Sequence, residues 1–303
     1  MFAKQTRRPW RSKQAKNYHI QKPTKPGEVV SVDQMVSPTP GLIAQMTGIL
    51  TRKRYKYATV YVDQATRLGY VYLQQTATAE ETIKGKIAFE LHCQTMGFRV
   101  RAYHADNGIF KAKAWVNHCN QQDQFISYAG VNSHHQNGIA ERRIRELQNL
   151  TRTMLIHASK RWKNSITANL WPYALRQAND ILNHTPSMQD SKRRSPMEIA
   201  SNTKVNINTK HYQTFGCPVY VLDEKLQNNN PYHKWKERGR IGIYLGQSPS
   251  HGKSVALVLN MSTGLVSPQF HVKFDPMFHT FLPEASFIQA GQRLNLNKKF
   301  KQL

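Results

Sequence analysis

The chain has 303 residues, 39% of them hydrophobic and 10% aromatic, which is enough apolar material for a packed core and excludes a wholly disordered chain. Its 43 Lys and Arg against 18 Asp and Glu give a formal charge of +25. That charge is spread along the whole length rather than gathered in one amphipathic helix or terminal run, so it points away from a membrane surface and toward a nucleic-acid partner bound through counterion release.

The first 27 residues carry Lys4, Arg7, Arg8, Arg11, Lys13, Lys16, Lys22 and Lys25 with no acid, and read as a basic arm. No apolar stretch near the start resembles a signal peptide, and no run reaches the roughly 18 apolar residues of a membrane span, so a soluble, intracellular chain is expected. From Glu28 onward EVVSVDQM, KYATVYVD and LGYVYLQQ are β-branched and aromatic runs that predict three strands, the last two forming an antiparallel hairpin. AEETIKGKIAFELHCQTMG predicts a helix capped by Thr78 or Thr76 and ended by Gly97. Strand FRVRAYHAD, helix KAKAWVNHCNQQD, strand FISYAG and a helix from QNGIAERRIRELQNL follow, an order βββαβαβα that specifies a mixed α/β unit.

WPYALRQANDILNHT predicts a further helix that ends before Pro186, and SMQDSKRRSP a basic loop. Beyond about residue 210, FGCPVYVL, RGRIGIYLG, KSVALVLN and GLVSPQFHVKFD predict short strands of a small antiparallel, barrel-like β module. The expected domains are therefore 1–27, a basic arm; 28–200, an α/β domain; 201–283, a β-rich module; and 284–303, a tail. Cys93, Cys119 and Cys217 are too few and too widely spaced for a disulfide framework or a cysteine zinc site, and are expected to be free and buried.

In so basic a chain, an acid on an apolar strand needs a reason. Asp33 lies in VVSVDQM, Asp106 ends VRAYHAD just before Asn107 and Gly108, and Glu141 opens the helix after QNGIA. On that helix Ala140, Ile144, Leu147, Thr151 and Met154 make an apolar stripe, flanked by a polar one of Glu141, Arg145, Gln148 and Arg152. Taken alone, Glu141 reads as an ordinary first-turn acid paired to Arg145. Three carboxylates converging from two strands and a helix instead suit Mg²⁺ or Mn²⁺, hard ions that take oxygen ligands. Asp63, at the end of TVYVD and before QATR, is the rival carboxylate, for which an Asx-type turn is the simpler role.

Asp33, then Asp106 in HADNG, then Glu141 in HHQNGIAERRIR resemble, in that order, the integrases of retroviruses and long-terminal-repeat retrotransposons, and the copia type most. QNGIAER is similar to that family's QNGVAER motif, WPYALRQANDILN to its post-catalytic helix, SPMEIA to its TP-E stretch and HYQTFGCPVYV to its FGC motif, so that the similarity runs from about Thr6 to about Asp275. The resemblance implies an RNase H-like catalytic core, with a mixed five-stranded sheet and flanking helices, that performs two-metal phosphoryl transfer. Asp33, Asp106 and Glu141 would hold two Mg²⁺ or Mn²⁺ ions for DNA 3′-end processing and strand transfer. Gln136, Asn137, Arg145, Gln148 and Arg152, with Arg7, Arg8 and Arg11 of the arm, would contact DNA, and Lys234, Trp235, Lys236, Arg238 and Arg240 would add backbone and stacking contacts.

Implied partners are the element's DNA ends and target DNA, together with further copies of the chain. Neither a membrane nor a small-molecule substrate is implied. The place of action would be the nucleus, reached from a cytoplasmic particle. The family carries a His/Cys zinc module ahead of the catalytic domain, which nothing before Cys93 can build. The chain then reads as a piece of a Gag-Pol polyprotein, and DNGIF lacks the acid that often follows DNGG in relatives. A nuclease of the same fold and a non-catalytic DNA-binding remnant are the two competing readings.

Overall fold

The structure is a computed structural model that describes residues 22–44, 51–129, 137–163, 165–188, 190–205, 212–227, 233–252 and 254–280. The expected contacts of Arg7, Arg8, Arg11 and Gln136 fall outside these residues. The chain divides into two compact units: Met1–Pro38, Tyr55–Leu150 and Ala178–Asn206 form the first, and Thr39–Arg54, Thr151–Gln177 and Ile207–Leu303 the second. This partition is discontinuous, where the sequence pattern suggested one cut between 200 and 201. The helical stretch 151–177 shares an apolar cluster with the later strands, while 178–206 packs with the first unit.

The first unit is built on strands β1 (Val30–Gly41), β2 (Tyr55–Asp63), β3 (Gly69–Gln74), β4 (Ala102–Ala105) and β5 (Phe125–Tyr128), in the order β3-β2-β1-β4-β5. β2 and β3 pair antiparallel as the expected hairpin, from Tyr57 opposite Gln74 to Val62 opposite Gly69. β1 pairs parallel with β4, and β4 parallel with β5. Parallel neighbours require helical crossovers, and α1 (Ala79–Thr95) and α2 (Lys113–Gln121) occupy those places in the chain, while α3 (Gly138–Arg161) follows β5. This mixed five-stranded α/β sheet has the RNase H-like arrangement.

Local chemistry explains the helix ends. Thr78 caps α1, its hydroxyl accepting from the Glu81 backbone N–H at 3.3 Å, and Gly97 adopts φ +88° just past the helix, a conformation that favours glycine. The core gathers Val30, Val32, Tyr61, Phe89, Tyr103, Phe110 and Trp115, and Phe89 of α1 stacks on Tyr61 with ring centroids 4.9 Å apart. Lys86 is 0% exposed in α1. It is tolerated because it pairs with Glu90 at 2.9 Å and donates to the Nδ1 of His118 at 3.0 Å, while Tyr103 donates its hydroxyl to Glu90 at 2.7 Å. The three cysteines are free and buried, as expected.

α4 (Trp171–His184) ends before Pro186, and within the first unit its last turns clamp the β2–β3 hairpin. Asn179 and Asn183 donate to the Gly69 carbonyl at 2.9 and 2.7 Å, and the Gly69 N–H donates to Asn183 Oδ1 at 2.8 Å. The basic loop is closed by Arg194 on Asp190 at 2.9 Å, and the short α5 (Pro196–Ser201) opens with a capping box between Ser195 and Glu198.

The second unit holds the other sheet: β6 (Pro218–Leu222), β7 (Gly239–Gln247), β8 (Ala256–Asn260), β9 (Val266–Gln269) and β10 (Val272–Phe274), all antiparallel in the order β10-β6-β7-β8-β9. A short α6 (Glu224–Gln227) follows β6. Among the described residues no ladder joins β9 to β10, so the sheet is antiparallel as expected but not a closed barrel. Ala158, Trp162, Leu170 and Tyr173 pack with Ile243, Leu245, Leu257 and Leu259 in this unit's core, and Trp162 Nε1 donates to the Gly216 carbonyl at 2.6 Å.

Candidate metal and nucleic-acid site

The ladder between β1 and β4 pairs Val30 with Tyr103, Ser31 with His104 and Val32 with Ala105. Asp33, within β1, and Asp106, just past β4, are each the next residue beyond the last pair, so two carboxylates stand at the same level beside this ladder. Carboxyl ends of parallel strands are where sites form in α/β sheets, because the backbone splays there and side chains are free to converge. Both residues are half-buried. The Asp106 carboxylate accepts from the Gly108 N–H at 3.1 Å, and a Cβ placed on Gly108 would stand 3.3 Å from Asp106 Oδ1. Glycine at 108 thus keeps open the space in front of that carboxylate.

The start of α3, the helix that carries Glu141, is tied to β1 through Asn137. The side chain of Asn137 is 2% exposed and donates through Nδ2 to the Val32 carbonyl at 3.0 Å, one residue before Asp33. Glu141 lies one turn further along, in the first turn of α3, where the helix dipole favours a carboxylate. The sequence pattern placed Asn137 against DNA. The structure instead turns its side chain inward, where a buried amide is consumed by the backbone of β1. This is the main revision to the expected site.

The helix face otherwise follows its periodicity. Ala140, Leu147 and Thr151 are buried, Ile144 and Met154 half-buried, Glu141 half-buried, and Arg145, Gln148 and Arg152 exposed. Arg143 was missed. It is 6% exposed and donates through Nη2 to the Arg67 carbonyl, and burial lowers its pKa from the usual arginine value. It fixes the second turn of α3 to the turn after β2. The signal was its spacing, three residues after Ala140 and four before Leu147, which sets Arg143 beside the apolar stripe.

Asp63 takes the simpler role of a turn residue. It is 0% exposed and accepts from the N–H of Gly27, the N–H of Thr66 and the hydroxyl of Thr66, each at 2.8 Å. Burial pushes its carboxyl up, against the pull of those hydrogen bonds. With its acceptor sites so occupied, Asp63 is a turn and anchor residue.

Among the described residues, no three His, Cys, Asp or Glu side chains stand close enough to hold a metal ion. Asp33 and Asp106 are level beside the β1–β4 ladder and the start of α3 is tied to Val32, but the three carboxylates do not form a cluster. Asp106 and Glu141 enter none of the ion pairs found among the described residues. No helix among those residues is long and apolar enough to cross a membrane.

No family model matches the chain. The retrovirus-related Pol polyprotein from transposon RE1 of Arabidopsis thaliana is 29% identical over 285 residues, which is 89% of this chain. The chain is similar to transposon Pol polyproteins. That from transposon RE2 of the same plant is 28% identical over 240 residues, 75% of this chain. The chain spans only 17% and 14% of the two polyproteins' lengths. Among solved structures, the catalytic core domain of HTLV-2 integrase in complex with magnesium aligns at 17% identity and TM-score 0.41, over 58% of this chain and 97% of that one. The intasome of simian T-cell lymphotropic virus aligns at 15% identity and TM-score 0.46, over 84% and 81% of the respective chains.

Proposed function

We propose that the chain is the integrase region of a retrotransposon, a polynucleotidyl transferase that processes DNA 3′ ends and joins them to target DNA. The observation that carries this reading is the level shared by Asp33 and Asp106 at the end of the β1–β4 ladder, with the start of α3 pinned to Val32 one turn before Glu141. The donor set is all oxygen, and glycine at 108 leaves room beside Asp106, so the residues suit a hard divalent ion. Mg²⁺ or Mn²⁺ held by Asp33, Asp106 and Glu141 would supply activation of an attacking oxygen and neutralisation of charge on the leaving oxygen.

The chain's own part is positioning. Arg145 and Gln148, exposed on the same helix as Glu141, are placed to meet phosphate oxygens and fix the register of a duplex without reading its sequence. Arg152 extends that face by about one further turn. A formal charge of +25 draws the duplex in from solution and makes its binding fall steeply with salt. Two DNA ends must be brought together for concerted joining, so a homo-oligomer on DNA is part of the proposal, as is action on chromosomal DNA in the nucleus.

The test is incubation with Mn²⁺ and duplex oligonucleotides that carry the element's ends. Joined product that disappears in Asp106→Asn is expected. No product, or joining undiminished by Asp106→Asn, overturns the proposal. Cleavage without joining would assign a nuclease of the same fold, and binding alone a non-catalytic remnant.

A further inference from the structure

One face of the second sheet is covered along part of its length and open along the rest. On β7, Ile243 and Leu245 are buried in the core with Trp162 and Leu170. Ile241 and Gly239 lie on the same side of that strand by alternation, yet they are half-buried and exposed. Register sets Lys273, Tyr220 and Ile241 in one row across β10, β6 and β7. The next row sets Leu222 opposite Gly239, with the His271 carbonyl accepting from the Leu222 N–H at 3.0 Å. These two rows floor an open hollow of about 740 Å³, within the roughly 300–1,000 Å³ of sites that hold a drug-sized ligand.

The floor is largely apolar and its margin is charged. Tyr220 is 42% exposed, and its hydroxyl bonds with the Thr280 hydroxyl at 2.8 Å, so the ring is already held in place before anything binds. Leu222 and Ile241 are half-buried beside it, while Arg238, His271 and Lys273 stand exposed at the margin with Glu237. An apolar side chain set on Tyr220 and Ile241, with carboxylates against Arg238 and Lys273, satisfies both floor and margin. That is the chemistry of an acidic peptide segment with an aliphatic or aromatic anchor.

Other occupants satisfy less of the hollow. The stretches outside the described residues hold one acid between them, Glu284, so the chain's own ends and loops would bring like charge to Arg238 and Lys273. A second copy, with a formal charge of +25, meets the same repulsion. A phosphate backbone would engage the cations and leave Leu222 and Ile241 unmatched.

We propose that this hollow docks an acidic peptide segment of another protein, with its apolar anchor on Tyr220 and Ile241 and its carboxylates on Arg238 and Lys273. The docking surface lies wholly within the second unit and needs neither a metal ion nor joining activity, so failure of the integrase reading has no effect on it.

The experiment is selection of a random peptide display library on the full chain in EDTA, followed by fluorescence anisotropy of the enriched peptides. These peptides are expected to carry Asp or Glu on both sides of an aliphatic or aromatic residue, and to bind at least about tenfold more tightly than polyglutamate of equal charge. Tyr220→Ala is expected to weaken them on the order of tenfold. Lys273→Glu is expected to weaken them by a similar factor that shrinks as salt rises. Lys84→Glu, on α1 of the first unit, makes the same change in net charge and is expected to leave their affinity within about twofold. Unchanged melting temperatures report that the variants stay folded. Failure to enrich acidic peptides, or enriched peptides that bind both hollow variants as tightly as wild type, overturns the proposal, as does an equal loss in Lys84→Glu. Loss of duplex DNA binding in step with peptide binding in Tyr220→Ala would give the hollow to nucleic acid, and a self-association that Tyr220→Ala abolishes would give it to a second copy; either result also overturns it.

Discussion

Replacing Asn137 by alanine separates two roles that the sequence pattern cannot distinguish. The wild-type amide donates to the Val32 carbonyl at 3.0 Å from a side chain that is 2% exposed. Its removal leaves that buried carbonyl without this donor, a cost of about 1–3 kcal/mol. Some of the cost is returned, because Asn137 Oδ1 is itself buried without a hydrogen-bond partner and leaves with the side chain. A net loss of about 1–2 kcal/mol is expected, which lowers the melting temperature by about 2–8 °C in a chain of this size. Asn137→Asp sets an oxygen against an oxygen in a buried place and is expected to cost more, about 3 kcal/mol or above. The same bond fixes the level of the first turn of α3, so under the proposed function Asn137→Ala should also raise the Mn²⁺ concentration needed for joining, while duplex affinity in EDTA stays near wild type. Calorimetry, a Mn²⁺ titration of joining and duplex binding in EDTA read these three outcomes. An unchanged melting temperature together with weakened duplex binding would refute the reasoning, since it would mean that the amide faces DNA.

Gly216→Ala is expected to destabilise the second unit by about 2–4 kcal/mol, because Gly216 sits at φ +81° and a Cβ there would stand 2.4 Å from the Ala158 Cβ; unchanged thermal unfolding would refute the close approach. A pH series makes a second test: burial lowers the pKa of His92, whose ring lies 5.3 Å from that of Tyr70, and burial and then the neighbouring Lys86 lower that of His118. Unfolded histidine takes its proton near pH 6.5, before the folded state does, so stability is full above that pH and is lost as the pH falls from about 6.5 toward the lowered folded values. His92→Gln should flatten this slope in urea titrations between about pH 7 and 5, and a slope unchanged by the substitution would count against the buried neutral ring.

Much of the fold was legible because its signals are local. The hairpin of β2 and β3 follows from two β-branched runs around a short turn, and α1 from a threonine cap at one end and Gly97 at the other. The unit boundary was not legible, because nothing local tells the helical stretch 151–177 that its apolar residues will meet Ile243 and Leu257 far along the chain. Arg143 was legible in part: its spacing sets it beside the apolar stripe, but the Arg67 carbonyl that accepts from its guanidinium lies 76 positions away.

The carboxylates show where sequence and structure divide the work. Asp33, Asp63 and Asp106 look alike as single acids in or at the ends of apolar strands, and the order of motifs chose two of them. Asp63 is then set apart by its partners: three donors at 2.8 Å surround a fully buried carboxylate, so its lone pairs are spent inside the protein. Asp106 accepts one backbone N–H from the glycine two residues on and remains half-buried. A metal ligand must keep lone pairs directed outward, and a turn anchor must not, so the hydrogen-bond count separates the two where sequence could only rank them. The same criterion turns Asn137 from a candidate DNA contact into the residue that holds Glu141's helix against the strand bearing Asp33.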